Sequence, residues 1–466
     1  MIISKNQALL AAVCISMFFN AFMANSINIA VPAIATHYNV PPQSVTWMIN
    51  AFMCTTAPFL IGASALANRY GLRTIYSLGT LLATICSIII PLCPVFYSIV
   101  AARAIQGVVF ALIFCTAMAL LVLNISKEKR GYAIGVATGA VYGGLSFAPV
   151  LGGFLTDHLG WQSIFYLTAI GQITSFLLIS KVPKDKPITK YLSFTKISIS
   201  FISGVLFLIG MSSFINDIRY IILVIAGIVL FIIYVLIEIK SKHQLLPIAI
   251  LVNNSSLNYQ LLASLLNYTA NFAISFLLAL HLELVQGYSA TQAGIFLIAQ
   301  PFIMMIFSSY TGRLSMYINK NILTIVGMLL LAIGLYMLTF IDTYTSLTLI
   351  IIAQVITGIG FGIFSAPNTN ICMSLVDKSQ LANVNALLAI TRNLGMSFSM
   401  AILTAILYMY IDADVGTTTY IYELSYSINI SFYLSMIICI VGMIFCILAA
   451  INYYNKIYKV RYLNKK

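Results

Sequence analysis

The sequence predicts an all-α integral membrane protein with fourteen transmembrane helices, and three observations predict it. Of its 466 residues, 61% are hydrophobic and 8% charged, with a mean hydropathy of +1.01. A soluble globular chain carries about 25% charged residues, so lipid must be the solvent here. The apolar residues fall into fourteen runs, each near the roughly 20 residues that cross a bilayer as a helix. The basic residues gather in every second loop. A soluble enzyme, a secreted disulfide scaffold and a disordered chain are excluded.

The runs lie at roughly 8–32, 43–66, 74–92, 95–124, 131–156, 162–181, 197–215, 219–239, 258–282, 291–312, 321–341, 346–374, 383–410 and 426–455. The first continues for about 24 residues after Met1–Gln7, longer than the roughly 7–15 apolar residues of a cleavable signal. The seventh and eighth are divided only by Asn216, Asp217 and Arg219.

An even count puts both termini on one side, and the charges agree. The loops that alternate from the N-terminus hold Lys5; Arg69 and Arg73; Lys127, Lys129 and Arg130; Lys181, Lys184, Lys186, Lys190 and Lys196; Lys240 and Lys242; Arg313 and Lys320; Lys378; and the tail from Lys456 to Lys466. The opposite loops hold only Arg219. Basic loops stay in the cytoplasm. The expectation is a multi-pass protein of a prokaryotic cell membrane, acting as a monomer, with both termini cytoplasmic. The net charge of +13 is then a topology signal, not the single basic face that nucleic acid would need.

The eight cysteines, all in apolar runs and without a CxxC, read as small hydrophobes. His37, His158, His243 and His281 do not cluster with them. No metal and no cofactor are expected.

The chain repeats itself. Ala102–Phe110 in the fourth run aligns with Ala353–Phe361 in the twelfth, an offset of 354 − 103 = 251. The same offset pairs Lys127 with Lys378, and Gly144-Leu145-Ser146-Phe147 with Gly395-Met396-Ser397-Phe398. This predicts a six-helix bundle over 1–181, a linker with two inserted helices over 182–250, a second six-helix bundle over 251–455, and a basic tail over 456–466. Related halves with a substrate site between them are a recurrent transporter design.

The motifs carry a family resemblance. Ser64–Arg73 resembles the GxLaDrxGrkxxl loop of the major facilitator superfamily, and Gly312–Lys320 is a degenerate second copy. Arg103-Ala104-Ile105-Gln106-Gly107 is similar to the family's RxxQG. Gly144–Gly153 is similar to the antiporter motif ending GPxxGG, and Gly160–Phe165 to GWRWIF. Asn28-Ile29-Ala30-Val31-Pro32 resembles the NVALP of the fourteen-helix drug:proton antiporters, whose second half also resembles Gly287–Gly294 and Arg392–Gly395. The resemblance implies a major facilitator fold and a proton-driven exporter of lipophilic or amphiphilic small molecules working by alternating access. It implies a gating role for Asn68, Arg69, Gly71 and Arg73. Pro149, Gly152 and Gly153 can kink a helix and admit a close neighbour.

Arg103 stands some eight residues inside its run, roughly 12 Å deep at 1.5 Å per residue. A charge at that depth faces a cavity or a partner; the bland alternative is an arginine bonded to helix-end carbonyls. Gln106 lies one turn on. Other polar residues in the runs, expected to line a cavity or to bond neighbouring helices, are Asn25, Asn28, Asn50 and Tyr142 in the first half. In the second half they are Asn267, Asn271, Gln300 and Gln354.

The acids depart from the family. Glu128, Asp185, Glu238 and Asp377 read as cytoplasmic-loop residues. Asp157, Asp217, Asp342, Asp412, Asp414 and Glu423 read as residues in or beside external loops. Where the family's first helix usually carries an acid, five residues before the Asn of NVALP, this chain has Met23. Asn68 replaces the loop motif's Asp, and Gln162 an arginine. A proton carrier needs a group whose burial brings its titration toward neutrality. The remaining candidates are His281 and Glu283, at the outer end of the ninth run.

The expected function is therefore secondary transport, not enzymatic catalysis, with a small-molecule substrate and the bilayer as partners and protons as a further partner if coupling exists. One alternative is a neutral or anionic metabolite or lipid as substrate, with Arg103 as anchor and weak or no coupling. Another is a non-transporting sensor on a transporter scaffold. An ion channel lacks a filter-like loop or a ring of charges. A cysteine placed at Lys186 in a cysteine-free background should resist an impermeant reagent applied to intact cells and react after permeabilisation. Labelling from outside would overturn the fourteen-span topology.

Overall fold

The computed structural model describes residues 5–183, 191–213, 217–241, 244–245, 248–252, 254–315, 317–376 and 381–463. Every regular element among them is helical. With no water in hydrocarbon, a spanning segment must bond its own peptide groups, which a helix does internally. Fourteen helices are long and apolar enough to span. The first half supplies α1 (Lys5–Ile29), α2 (Pro42–Tyr70), α3 (Leu72–Leu92), α4 (Phe96–Asn124), α5 (Gly135–Leu159) and α6 (Gln162–Ile179). The inserted pair is α7 (Phe194–Ser213) and α8 (Ile218–Ile239). The second half supplies α9 (Ser255–Val285), α10 (Ala290–Ser308), α11 (Lys320–Leu338), α12 (Leu347–Ser374), α13 (Ala386–Tyr410) and α14 (Thr418–Asn452). The expected count of fourteen stands. The 184–190 stretch, with Lys186, lies outside the described residues.

The breaks between helices have local causes. Gly71 ends α2 at φ +93° and Gly160 separates α5 from α6 at φ +80°, a backbone region that side chains with a Cβ rarely enter. Ser289 starts α10 with a reciprocal cap to Gln292, satisfying two otherwise orphaned N–H groups. The span α9 is broken: helix Ser255–Asn271, helix Ile274–Leu280, then a π-helical turn His281–Val285.

Two compact units emerge. One comprises residues 1–245, 274–302 and 400–428; the other 246–273, 303–399 and 429–466. This is a division of contacts, and it cuts across the sequence halves. Below, "distal" means the helix ends remote from the N-terminus. The first unit thus holds the first half, the inserted pair and the distal parts of four second-half spans.

Inside the first unit, buried polar groups are satisfied across helices, as they must be away from water. Ser16 Oγ of α1 donates to Gln172 Oε1 of α6 at 3.0 Å, and Gln172 Nε2 donates to Asn20 Oδ1 at 2.6 Å. Thr55 Oγ1 of α2 donates to the Ala104 carbonyl of α4 at 2.7 Å, and Thr56 Oγ1 to that of Gly107 at 3.1 Å. The pair α7–α8 packs on itself at glycines: a Cβ on Gly227 would lie 2.7 Å from Phe207 N. In the second unit, α11 and α12 approach so closely that a Cβ on Gly327 would lie 2.7 Å from the Gly360 carbonyl. Small residues at such crossings let membrane helices gain van der Waals contact.

The repeat recurs as packing. A Cβ on Gly144 would lie 2.3 Å from the Phe18 carbonyl of α1; one on Gly395 would lie 2.5 Å from the Leu265 carbonyl of α9. The glycines paired by the 251-residue offset admit the same kind of neighbour in each half.

One expectation changes. Glu238 and Lys196 read as solvated loop residues, yet both belong to helices of the inserted pair. Their charges meet at 2.9 Å with side chains 0% and 5% exposed. The Glu238 carboxylate also accepts from Leu245 N, the last residue of the first unit. By contrast Asp217 and Arg219 form an exposed pair between α7 and α8, and hydrogen bonds from the Arg219 guanidinium and backbone N–H hold the Asp217 carboxyl below its usual range.

Removing one member of a buried pair leaves an uncompensated charge, at a cost of about 3–5 kcal/mol. Lys196→Met should therefore lower the melting temperature of the purified protein, and Lys196→Met with Glu238→Leu should recover most of it. Equal losses in single and double variants would show that the pair is not coupled.

Candidate functional site

Arg103 of α4 is 1% exposed. Its Nη1 donates to Gln106 Oε1 at 2.6 Å and its Nε to the Met48 carbonyl of α2 at 3.4 Å. The guanidinium carbon lies 4.4 Å from the centre of the Phe52 ring, a cation–π arrangement. Spacing of three along α4 puts Arg103 and Gln106 on one face, and α2 supplies the wall. Gln106 Nε2 donates to Ser87 Oγ of α3 at 3.1 Å and contacts Met23 Sδ of α1 at 3.7 Å. Among the described residues the ion pairs are Lys196–Glu238 and Arg219–Asp217; Arg103 has no carboxylate. Its charge is held by dipoles and a ring alone.

Met23 touches this group at the position where the family's acid is expected. The sequence shows Met23 where an acid is expected but carries no sign of its link to Gln106, because the contact crosses 83 residues.

The other polar candidates divide. Asn28 Nδ2 donates to Asn25 Oδ1 at 3.2 Å, and Asn25 Nδ2 reaches the Leu145 carbonyl of α5 at 3.5 Å. Tyr142 is half-buried on α5. Asn50 donates to Ser212 Oγ of α7 at 2.9 Å and to Thr404 Oγ1 of α13 at 3.3 Å, so it binds the inserted pair and a distal second-half helix to α2. Gln300 is buried in the same unit. In the second unit, Asn267 Nδ2 reaches Met328 Sδ at 3.1 Å, Gln354 is buried and Asn271 half-buried. The structure brings together Arg103 with Gln106, and Asn25 with Asn28.

The helix-5 motif meets the second half at the distal ends. A Cβ on Gly153 would lie 2.2 Å from the Ala290 carbonyl of α10, and one on Gly294 would lie 2.1 Å from the Pro149 carbonyl of α5. Gly152 meets Ser26 of α1, whose Oγ donates to the Ala148 carbonyl at 3.1 Å. Beside this crossing, Asp157 Oδ2 accepts from Thr291 N at 2.8 Å and from Thr291 Oγ1 at 2.5 Å. Asp157, read from sequence as a residue in or beside an external loop, lies within α5 and reaches the first turn of α10.

His281 is fully buried, and Glu283 has a buried carboxylate oxygen without a hydrogen-bond partner. The α9 span widens here into the π-helical turn, a feature frequent at functional sites. At the other end of the first unit, Gly71 makes its turn, Asn68 and Arg69 are half-buried, and Arg73 Nη2 donates to the Ser180 carbonyl at 3.1 Å. The side chain of Arg313, in the second motif copy, lies outside the described residues.

Comparison with known proteins settles the family. The family model described as Major Facilitator Superfamily matches residues 13–400 and 260–456. The chain belongs to the Major Facilitator Superfamily. As a superfamily member it is similar to the "Riboflavin transporter RibZ" of Clostridioides difficile (strain 630), at 26% identity over 440 residues, covering 93% of this chain and 95% of that one. It is also similar to the "Multidrug resistance protein Stp" of Mycobacterium tuberculosis (strain CDC 1551 / Oshkosh), at 25% identity over 416 residues, covering 87% and 76%. The crystal structure of a POT family transporter in complex with 5-aminolevulinic acid superposes with a TM-score of 0.71 over 95% of this chain and 96% of that one, at 15% identity; this likeness is one of fold. The superfamily and these relatives are transport proteins, not enzymes, and the resemblance to the drug-efflux branch stands.

If Arg103 serves the transport cycle, Arg103→Ala should abolish transport in a protein that still inserts and elutes as one monodisperse species. Arg103→Lys should restore only part, because a point charge cannot replace the planar five-donor fork. Wild-type transport by Arg103→Ala would leave the residue a structural role.

Proposed function

We propose that this superfamily member exports lipophilic or amphiphilic small molecules across a prokaryotic plasma membrane by alternating access, as a monomer with both termini and the basic loops in the cytoplasm. On this reading the two sequence halves, 1–181 and 251–455, move against each other, and the inserted pair of 182–250 travels with the first. The observation that carries it is the distal crossing of α5 and α10, where Gly153 and Gly294 let backbone meet backbone. A barrier built from a few close contacts between the two halves is one that can open and close. The names of the relatives, one a multidrug resistance protein and one a riboflavin transporter, support an amphiphilic substrate.

A second reading is favoured by Arg103. A buried cation without a carboxylate supplies no counter-charge for a cationic drug and suits a neutral or anionic metabolite or lipid. Where protons are coupled, the reading assigns them to His281 and Glu283, the imidazole and the carboxylate that share the π-helical turn.

Proteoliposomes carrying a lipophilic dye or riboflavin, with and without an imposed pH gradient, test the proposal. Export predicts protein-dependent movement of at least one solute. Gradient-driven accumulation should be lost in Glu283→Gln and His281→Gln while exchange persists. A protein that moves neither solute would count against export, and accumulation surviving both substitutions would count against this coupling assignment.

A further inference from the structure

Resting on the alternating-access reading, we propose that Asp157 is the latch of the distal gate: its carboxylate holds α10 to α5, and loss of its negative charge by protonation releases that hold. The geometry is that of a helix cap supplied from another helix. Ser289 is the N-cap of α10, and Thr291 follows in its first turn. The amide N–H groups there lack intrahelical partners and form the positive end of the helix dipole. Asp157 Oδ2 takes one of those N–H groups at 2.8 Å and the Thr291 hydroxyl at 2.5 Å. An ionised carboxylate accepts both bonds with charge assistance; a protonated acid or an amide offers a weaker acceptor and no charge to the dipole.

The latch is placed where it can govern the contact. Gly153 and Pro149, which touch the backbone of α10, lie one and two turns before Asp157 on α5. The glycine contacts are van der Waals contacts that demand fit but carry no charge; Asp157 is the charged group across this crossing. The titratable groups around it are few. On α9, Glu283 and His281 lie in the π-helical turn His281–Val285. His158 follows on α5 and stacks on Phe154, and His37 of the short helix Val31–Tyr38 packs on Trp161. The α10 segment Ala290–Ser308 carries no charged residue, and α1 carries only Lys5 at its far end.

The test needs no substrate. Ala293 is fully buried on α10 beside the crossing. Ala293→Cys in a cysteine-free background, purified in detergent, reports opening by its rate of maleimide labelling. The rate is divided by that of Tyr344→Cys, a position 94% exposed, to remove the intrinsic pH dependence of thiols. The expected result is slow labelling at neutral pH that speeds on acidification. In Asp157→Asn, labelling should be about two- to five-fold faster, the population change that losing one exposed charge at a helix N-terminus makes, and should no longer respond to pH. Asp157→Glu should keep the pH response.

Thr291→Val, which removes only the hydroxyl bond, should give an intermediate rate and serves if Asp157→Asn does not purify as a folded species. Wild-type labelling in both Asp157→Asn and Thr291→Val would overturn the latch. A pH response that survives in Asp157→Asn and vanishes in Glu283→Gln would overturn the assignment to Asp157 and move it to Glu283. A latch that behaves as expected in a protein that moves no tested solute would count against export alone.

Discussion

The distal architecture depends on one constraint: α5 and α10 approach until backbone touches backbone. At Gly153 and Gly294 there is no room for a methyl group. Hydrocarbon gives no hydrophobic drive to helix association, so membrane helices hold together by close packing and by hydrogen bonds made possible at short range. Once these two helices are that close, Asp157 can reach the first turn of α10, Ser26 can reach the carbonyl of Ala148, and the end of α9 packs against α1 and α10. A bulkier residue at either glycine would remove the polar contacts as a consequence of the distance, without touching them directly. The glycines fit; the carboxylate adds a charge that can be withdrawn.

Charge is treated in two different ways in this molecule. Lys196 and Glu238 are buried as a pair, which limits the cost of desolvation. Arg103 is buried without an acid and is satisfied by Gln106, a carbonyl and the face of Phe52. A pair is a settled structure with little to gain from a ligand. An unpaired guanidinium keeps an unspent capacity for an anion or a strong acceptor. The contact of Gln106 with Met23 sharpens this difference: an acid at position 23 would stand one side chain from Arg103, whereas a thioether leaves the positive charge in place.

Much of the fold was legible in the sequence because lipid imposes a length and the cytoplasm a charge. Fourteen apolar runs became fourteen spans, and turns marked by Gly71 and Gly160 fell where the motifs put them. What sequence could not show were contacts between residues far apart. Glu238 sits among Lys240, Lys242 and His243, a context that reads as solvated; its burial comes from α7 folding back along α8. Asp157 reads as a loop acid because it precedes a Gly160 turn, and Thr291, 134 residues on, carries no signal of its own. The π-helical turn of α9 is a shift in hydrogen-bond register, which composition does not record. Of the polar candidates, Asn50 proved to be bonded between three helices, a role that a lone asparagine in an apolar run leaves open.

The repeat preserves packing more closely than it preserves charge. Gly144 and Gly395, related by the 251-residue offset, do the same packing work in each half, so the scaffold has kept its symmetry. The same offset pairs Arg103 with Gln354, and both are almost fully buried. A glutamine satisfies a buried site with neutral hydrogen bonds, whereas an arginine there brings a charge that the bilayer penalises. A second uncompensated arginine at position 354 would double that penalty. The second half carries its cation at another position: Arg392 Nη2 of α13 donates to Thr369 Oγ1 at 2.6 Å, and its guanidinium carbon lies 5.7 Å from the centre of the Tyr268 ring. Each half thus holds an arginine by a polar side chain and an aromatic face, at positions that the 251-residue offset does not relate. The glycines that set the packing repeat, and the charges do not, because a packing contact is imposed by the fold whereas a buried cation needs only local dipoles and a ring to hold it.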